Sequence, residues 1–140
     1  DELRASDFAA FQRLADLPLG MTAHVVYEAV DKTACATLSE PMINLIRQDI
    51  GFDGLLMTDD LSMSALTGSY ASRCRASLDV GCDLILHCNA EPDQMEEVAT
   101  ASGTLSTRAD ERAAKAQGMR ISPEAINQDD LLAELADLLC

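Results

Sequence analysis

Three short apolar segments recur about every 30 residues, and this spacing constrains the fold more than any other feature of the chain. They are Gly20–Tyr27, Gly54–Thr58 and Cys82–Cys88, and segments of helical character separate them. One strand and its helix take about 30 residues, so the spacing predicts consecutive βα units. The segments are apolar rather than alternating, which is typical of strands covered on both faces. The chain is therefore predicted to be an α/β protein, either doubly wound or part of a (β/α)8 barrel.

The segments between and after the strands are predicted to be helical. Ser39 is a good N-cap and Pro41 suits the first turn of a helix that Gly51 ends. Ser69 caps a second helix, which Gly81 ends. Further helices are predicted at 7–16, 92–100 and 106–117, and a last one follows Ser122–Pro123 and includes the leucines from Leu131 to Leu139. The leucines of the last helix are expected to face a core, as an apolar stripe usually does.

The composition excludes several classes of function. The 140 residues carry a net charge of −14, which would repel the phosphates of a nucleic acid. No apolar stretch is long enough to span a membrane. The five cysteines are odd in number and show no ligand spacing typical of zinc, so we expect reduced thiols and no metal site.

The second predicted strand leads straight into two carboxylates. Gly54–Thr58 is followed by Asp59 and Asp60. Parallel α/β folds place their active sites at the carboxyl ends of the strands. Successive side chains on a strand point in opposite directions, so at most one of the two faces a pocket. Two interpretations stay open on this pattern alone: Asp59 caps a turn while Asp60 is solvated, or one carboxylate is functional.

The residues around Asp59 resemble the active-site signature of glycoside hydrolase family 3. The matching pattern is Leu45-Ile46-Arg47-x-Asp49-x4-Gly54-Leu55-Leu56-Met57-Thr58-Asp59-x2-Ser62. Three further stretches are similar to the NagZ-type bacterial β-N-acetylhexosaminidases of that family. These are Asp60–Met63, Pro18–Tyr27 and Gly68–Asp83, and the resemblance extends from about Leu17 to Asn89.

The resemblance implies a fold and a chemistry. The fold would be the C-terminal portion of a TIM (β/α)8 barrel, about three βα units followed by C-terminal helices. Residues 1–140 would form one partial barrel domain whose N-terminal part is missing, with 90–140 as its mainly helical end. Asp59 would be the catalytic nucleophile of a retaining glycosidase. Thr58 and Ser62 are expected to donate hydrogen bonds near it.

The same resemblance indicates what the chain does not contain. NagZ-type enzymes take their acid/base histidine from an Asp-His pair on an upstream loop, and that motif is absent here. His24 and Met21 are candidate substrate-binding residues on the first strand, although a strand histidine is often only structural. His87 ends the third strand and is not assigned a role. The chain alone is therefore expected to be inactive.

The implied function is the removal of terminal β-N-acetylglucosamine from fragments of peptidoglycan recycling. The implied setting is cytoplasmic, with a small carbohydrate substrate, no cofactor, no membrane or nucleic-acid partner and a monomeric complete enzyme. Two alternatives remain. The chain is a non-catalytic relic or scaffolding piece of such a hydrolase, or it is a receiver-like domain with Asp59 as phosphoacceptor. A receiver domain would need an acidic pair after its first strand and a lysine after its last, and neither is present.

Overall fold

A parallel two-stranded sheet lies at the centre of the computed structural model, which describes residues 2–88 and 91–139. The strands are β1 (Leu19–Met21) and β2 (Leu55–Met57). The helices, in chain order, are α1 (Glu2–Ala5), α2 (Asp7–Gln12), α3 (Glu40–Asn44), α4 (Tyr70–Asp79), α5 (Pro92–Ser102), α6 (Thr107–Gly118) and α7 (Gln128–Leu138). A 3-10 helix (Ala36–Leu38) precedes α3, and a π-helical turn (Leu45–Asp49) continues it.

The register of the sheet places the carboxyl ends of the strands together. Gly20 pairs with Leu56 and Met21 with Met57. The third predicted strand lies along the other edge of β2 but makes only an isolated parallel bridge, between Leu84 and Met57. Its ladder continues through the Thr58 N–H, which donates to the Leu84 carbonyl at 3.0 Å. The prediction of strand structure over all of Cys82–Cys88 is therefore wrong in extent, although the parallel order of the three segments is as predicted.

The first strand is also shorter than the sequence predicts. It ends at Met21 instead of continuing to Tyr27. The next residue still donates to β2, but the chain then bonds to a different segment. The Ala36 N–H donates to the Val25 carbonyl at 2.8 Å and the Thr37 N–H to the Ala23 carbonyl at 3.3 Å. These bonds turn the apolar run away from the sheet, so its β-branched residues do not extend β1.

Close approach of an aromatic ring explains two glycines of the sheet. Phe52 is buried between the strands and the helical layer, with Ile43, Leu56 and Cys82. A β-carbon at Gly20 would lie 2.7 Å from the Phe52 ring, and one at Gly54 would lie 2.6 Å from it. Only glycine at both positions lets the ring close over the sheet.

The helix N-caps lie mostly where the sequence predicts them. The side chains of Ser39 and Ser69 each accept a hydrogen bond from a backbone N–H in the first helical turn, as predicted. Ser106, predicted as the first residue of its helix, is the N-cap of α6 in the same way. Gly51 follows the π-helical turn with φ of +82°, which glycine adopts readily. The last helix follows Ser122–Pro123 as predicted, with Asn127 as its N-cap, and it ends at Leu138.

Two predictions about helices are wrong. The helix predicted at 7–16 is α2, which ends at Gln12, short of Asp16. The leucines of α7 do not face a core: their exposure ranges from 48% to 77% from Leu131 to Leu138. The apolar stripe of α7 therefore lacks the packing that its pattern predicts.

Two partly buried arginines join the helices to the amino ends of the strands. Asp83 accepts from Arg47 at 2.7 Å and from Arg112 of α6 at 2.8 Å. The same carboxylate accepts the Leu56 N–H at 2.9 Å. Arg112 also pairs with Asp53 at 2.7 Å, and this bond lowers the pKa of Asp53. These ion pairs fix the end of the sheet opposite Asp59.

In the described part of the chain, no helix has the length and apolar character needed to cross a bilayer.

Candidate active site

Asp59 lies two residues beyond the end of β2, at the carboxyl end of the parallel strands. Its side chain is partly buried, and its Oδ1 accepts the Asp60 N–H at 2.8 Å. Within residues 2–88 and 91–139, its Oδ2 accepts no hydrogen bond, so half of the carboxylate is available to a substrate. A rigid strand end with one free carboxylate oxygen is the arrangement that a nucleophile requires.

Asp60 differs from Asp59 because both oxygens of its carboxylate accept hydrogen bonds within the protein. It accepts the Ser62 hydroxyl at 2.5 Å, the Ser62 N–H at 2.9 Å and the Cys88 N–H at 2.9 Å. Burial alone would raise the pKa of Asp60, but these hydrogen bonds outweigh burial and hold the pKa below its ordinary value. Asp60 therefore closes the loop after β2 onto the end of the third segment, and its N–H orients Asp59.

His24 supports the same loop through a chain of buried hydroxyls. His24 Nε2 donates to the Asp60 carbonyl at 2.9 Å, because a carbonyl only accepts. In the neutral ring Nδ1 then accepts from the Thr37 hydroxyl at 2.8 Å. Thr37 in turn accepts from the Thr22 hydroxyl at 2.9 Å. Both nitrogens of His24 are thus used within the protein, as in a structural strand histidine.

Two more contacts fix the loop that follows Asp60. The Leu61 N–H donates to the Leu86 carbonyl at 3.0 Å. Arg73 of α4 donates to the Leu61 carbonyl at 2.6 Å, and its guanidinium lies 5.3 Å from the centre of the Tyr70 ring. Leu61 is fully buried. The backbone next to the carboxylates is therefore held by the third segment on one side and by α4 on the other.

The expectation that Thr58 and Ser62 donate to Asp59 is wrong. The Thr58 hydroxyl accepts the Leu86 N–H at 2.9 Å, and Ser62 donates to Asp60. Both residues hold the backbone around the site. The reason is the sharp turn after β2, which brings Asp60, not Asp59, over Ser62.

The remaining predicted site residues are Met21 and His87. Met21 is 53% exposed at the end of β1, on the sheet face that Met57 shares. His87 lies beside the carboxylate pair, with Nδ1 4.0 Å from Asp60 Oδ1. The structure therefore gathers Asp59, Asp60, His24 and His87 at one end of the sheet.

Thr37 and Arg73 are the residues of this site that sequence reasoning missed. Thr37 lies in the 3-10 helix before α3, and nothing in its neighbourhood predicts a contact with a histidine 13 positions earlier. The predicted N-cap of α4 places Arg73 in a helix. No sequence pattern indicates that it donates to the Leu61 carbonyl.

The donors do not fit a metal ion. Among the residues that the structure describes, no group of three His, Cys, Asp or Glu side chains lies close enough to hold one. Cys35, Cys74, Cys82 and Cys88 are free thiols, and Cys140 lies outside the described residues. Burial raises the pKa of the Cys82 thiol to about 12, which keeps it protonated.

The comparison with protein families matches most of the chain. Residues 1–119 match the model described as "Glycosyl hydrolase family 3 N terminal domain". This match contradicts the receiver-like alternative, which belongs to a different class of protein.

Curated and solved relatives agree with the family match. A β-hexosaminidase of Neisseria gonorrhoeae strain NCCP11945 is 42% identical over 103 residues, which are 70% of this chain and 28% of that protein. The structure of NagZ from Neisseria gonorrhoeae in complex with zinc ion has a TM-score of 0.71 at 35% identity, over 89% of this chain and 35% of that one. NagZ from the same organism in complex with N-trifluoroacetyl-D-glucosamine has a TM-score of 0.71 at 31% identity, over 96% and 38%. The chain thus spans about 28% of the length of the curated relative.

Proposed function

Because the chain belongs to glycosyl hydrolase family 3, we propose that it carries the nucleophile of a retaining β-N-acetylhexosaminidase and that Asp59 is that nucleophile. The observation that carries the proposal is the difference between two adjacent carboxylates. Asp59 has one oxygen free among the described residues and lies at the carboxyl end of β2, whereas Asp60 has all its hydrogen bonds within the protein. β-Hexosaminidase relatives support the reaction class.

In the proposed reaction Asp59 attacks the anomeric carbon of a terminal N-acetylglucosamine. The C1–oxygen bond to the leaving group breaks, and an acid from outside this chain protonates the departing oxygen. The resulting glycosyl-aspartate ester is then hydrolysed by water at C1, which releases the sugar and the free carboxylate. The Asp60 N–H restrains Asp59 Oδ1 throughout, so the free Oδ2 is the attacking atom.

The proposed substrate is a small carbohydrate, namely N-acetylglucosamine-bearing fragments of peptidoglycan turnover such as 1,6-anhydro-muropeptides. The relative solved with N-trifluoroacetyl-D-glucosamine supports a site for this sugar. We place the reaction in the cytoplasm, in a monomeric enzyme without a cofactor, and we place Met21 and His24 on the substrate side of the site. His24 would act there through its ring carbons, because both of its nitrogens are occupied.

The test is hydrolysis of an aryl N-acetyl-β-glucosaminide by the natural gene product and its Asp59→Ala variant. We expect the rate of the variant to fall at least about a thousandfold, because the covalent step is lost. Asp79→Ala, at an exposed position of α4, is the matched control and should keep wild-type turnover. Near-wild-type hydrolysis by Asp59→Ala would refute the assignment.

Two further measurements sharpen the test. Peptide mass spectrometry of enzyme quenched during turnover should find the sugar on Asp59. A polypeptide of residues 1–140 should hydrolyse nothing, because the acid that protonates the leaving group would be absent. Measured turnover by that polypeptide would contradict the proposed division of roles.

A further inference from the structure

His87 is a buried polar side chain whose contacts are incomplete. Its side chain is only 6% exposed, and its ring packs on Tyr70 of α4 with the ring centres 4.8 Å apart. In the part of the chain that the structure describes, neither ring nitrogen has a hydrogen-bond partner. Buried polar groups almost always have one, so this pair of nitrogens needs an explanation.

The hydrogen-bond acceptor that lies beside the ring of His87 is the Asp60 carboxylate. His87 Nδ1 lies 4.0 Å from Asp60 Oδ1, which is about 1 Å longer than a hydrogen bond. The same oxygen already accepts the N–H groups of Ser62 and of Cys88, the residue next to His87. A small rotation of the imidazole over Tyr70 would therefore close a second bond from the same segment onto the same carboxylate.

We propose that His87 is a positioning residue, whose imidazole closes onto Asp60 and thereby sets the Asp59 carboxylate for attack; this inference rests on the proposed function. Asp60 transmits the effect, because its side chain meets His87 while its N–H donates to Asp59 Oδ1. His24 holds the Asp60 carbonyl through a hydrogen bond from its Nε2. His87 thus restrains the side chain of Asp60 and His24 restrains its carbonyl. The restrained Asp60 backbone in turn holds the adjacent Asp59 carboxylate in place.

The charges around His87 favour this contact. Asp60 is the acidic group that faces the ring, and Tyr70 covers one side of it. The Arg73 guanidinium lies over the Tyr70 ring, and its Nη1 donates to the Leu61 carbonyl. An N–H of His87 can donate to the Asp60 carboxylate in either protonation state of the ring.

The experiment compares four variants of the natural gene product: His87→Phe, His87→Gln, Asp60→Asn and the double variant His87→Phe/Asp60→Asn. Phe keeps a ring against Tyr70 but removes both nitrogens, whereas Gln keeps a donor. On an aryl N-acetyl-β-glucosaminide, we expect His87→Phe to lower kcat on the order of tenfold with KM little changed, since a misplaced nucleophile slows the reaction more than it weakens binding. His87→Gln should recover most of that loss. The double variant should be no slower than Asp60→Asn alone.

A structural role alone would give a different result. His87→Phe would then lower the melting temperature while leaving kcat at the wild-type value. Alternatively, the fold-losses in kcat of His87→Phe and Asp60→Asn would multiply in the double variant, as independent effects do. Either outcome overturns the proposal. Ser64→Ala, on the exposed part of the same loop, is the control and should match wild type.

A measurement without substrate separates this inference from the proposed function. The melting temperatures of wild type, the two single variants and the double variant form a cycle that reports on the contact between His87 and Asp60. Non-additive shifts support the contact even if wild-type protein hydrolyses no glucosaminide, in which case only the proposed function fails. Additive shifts refute the contact whatever the activity.

Discussion

Two adjacent aspartates differ in their hydrogen bonds, and the backbone geometry of the loop after β2 decides which carboxylate is engaged. Asp59 and Asp60 are chemically identical, but the turn after β2 directs only Asp60 toward Ser62 and the Cys88 N–H. The engaged carboxylate restrains the loop, and the free one is available for chemistry. The same division explains why the hydrogen bonds expected at Asp59 are found one residue later.

A third aspartate, Asp31, organises the entry to α3 and gives a pH-dependent prediction. Hydrogen bonds from the hydroxyl and N–H of Thr33 and from the Ser39 hydroxyl lower the pKa of Asp31 from 3.8 to about 2. Ser39 is also the N-cap of α3. A carboxyl group with a lowered pKa in the folded state stabilises the fold above pH 4, and this contribution is lost as the pH falls toward 2.

Asp31→Ala should therefore lower the melting temperature at pH 7, and its difference from wild type should shrink between pH 4 and pH 2. Thermal unfolding followed by circular dichroism across that range measures the effect. Asp79→Ala, at an exposed aspartate of α4, is the control, and its difference in melting temperature from wild type should not shrink between pH 4 and pH 2. A difference for Asp31→Ala that stays constant down to pH 2 would contradict the assigned hydrogen bonds.

At the scale of elements, the sheet and its helical layer meet through one aromatic ring. Phe52 requires the absence of a side chain at both Gly20 and Gly54. Arg47 lies near the same ring, 5.5 Å from its centre, and donates to the carbonyls of Phe52 and Gly54 at 3.0 and 2.8 Å. The short turn before β2 is thus determined by packing and by buried hydrogen bonds together.

Gly54→Ala should destabilise the protein by about 1–3 kcal/mol, the usual cost of forcing a group into a packed site. The new β-carbon would lie 2.7 Å from the Leu17 carbonyl oxygen, and a backbone atom cannot move aside cheaply. Denaturant unfolding measures the loss. Gly118→Ala, where no atom lies within 4 Å of the added carbon, should be neutral or slightly stabilising at the end of α6. Equal effects of the two substitutions would show that packing at Gly54 is not the cause.

At the scale of the whole molecule, one edge of the sheet is open and apolar. A cavity of about 390 Å³ lies along β1. Its rim includes side chains that are about half exposed, namely Phe11, Leu14, Leu17, Leu19 and Met21. In the described residues no strand pairs with the outer edge of β1. Two strands and a bridged segment do not close a barrel, and such an edge is a template for association with another chain.

A polypeptide of residues 1–140 should therefore self-associate through this edge. Sedimentation velocity at increasing concentration should show species larger than a monomer. Leu19→Glu places a charge on the edge strand and should shift the distribution toward monomer. Ile121→Glu, which is 92% exposed and outside the edge, is the control and should leave association unchanged. A monomer at all concentrations would show that the edge is protected.

Much of the local structure was predictable, because its causes lie within a few residues. Ser39, Ser69 and Ser106 cap helices as their side chains allow, and Gly51 follows the turn that it terminates. The parallel order of the apolar segments and the position of Asp59 after β2 also follow from pattern and spacing. The lengths of the strands did not follow, since apolar residues form a strand only where a neighbour supplies hydrogen bonds.

The sequence by itself determined the class of fold, the order of its elements and the place of the carboxylate pair, because periodicity, caps and chain length act locally. Only the tertiary structure decided which carboxylate is free, where β1 ends and what His24 and His87 touch. The contacts of the two histidines depend on partners 13 to 36 positions away, as between His24 and Thr37 or His24 and Asp60. Such contacts arise from the register of strands and the packing of helices, and no local pattern encodes them.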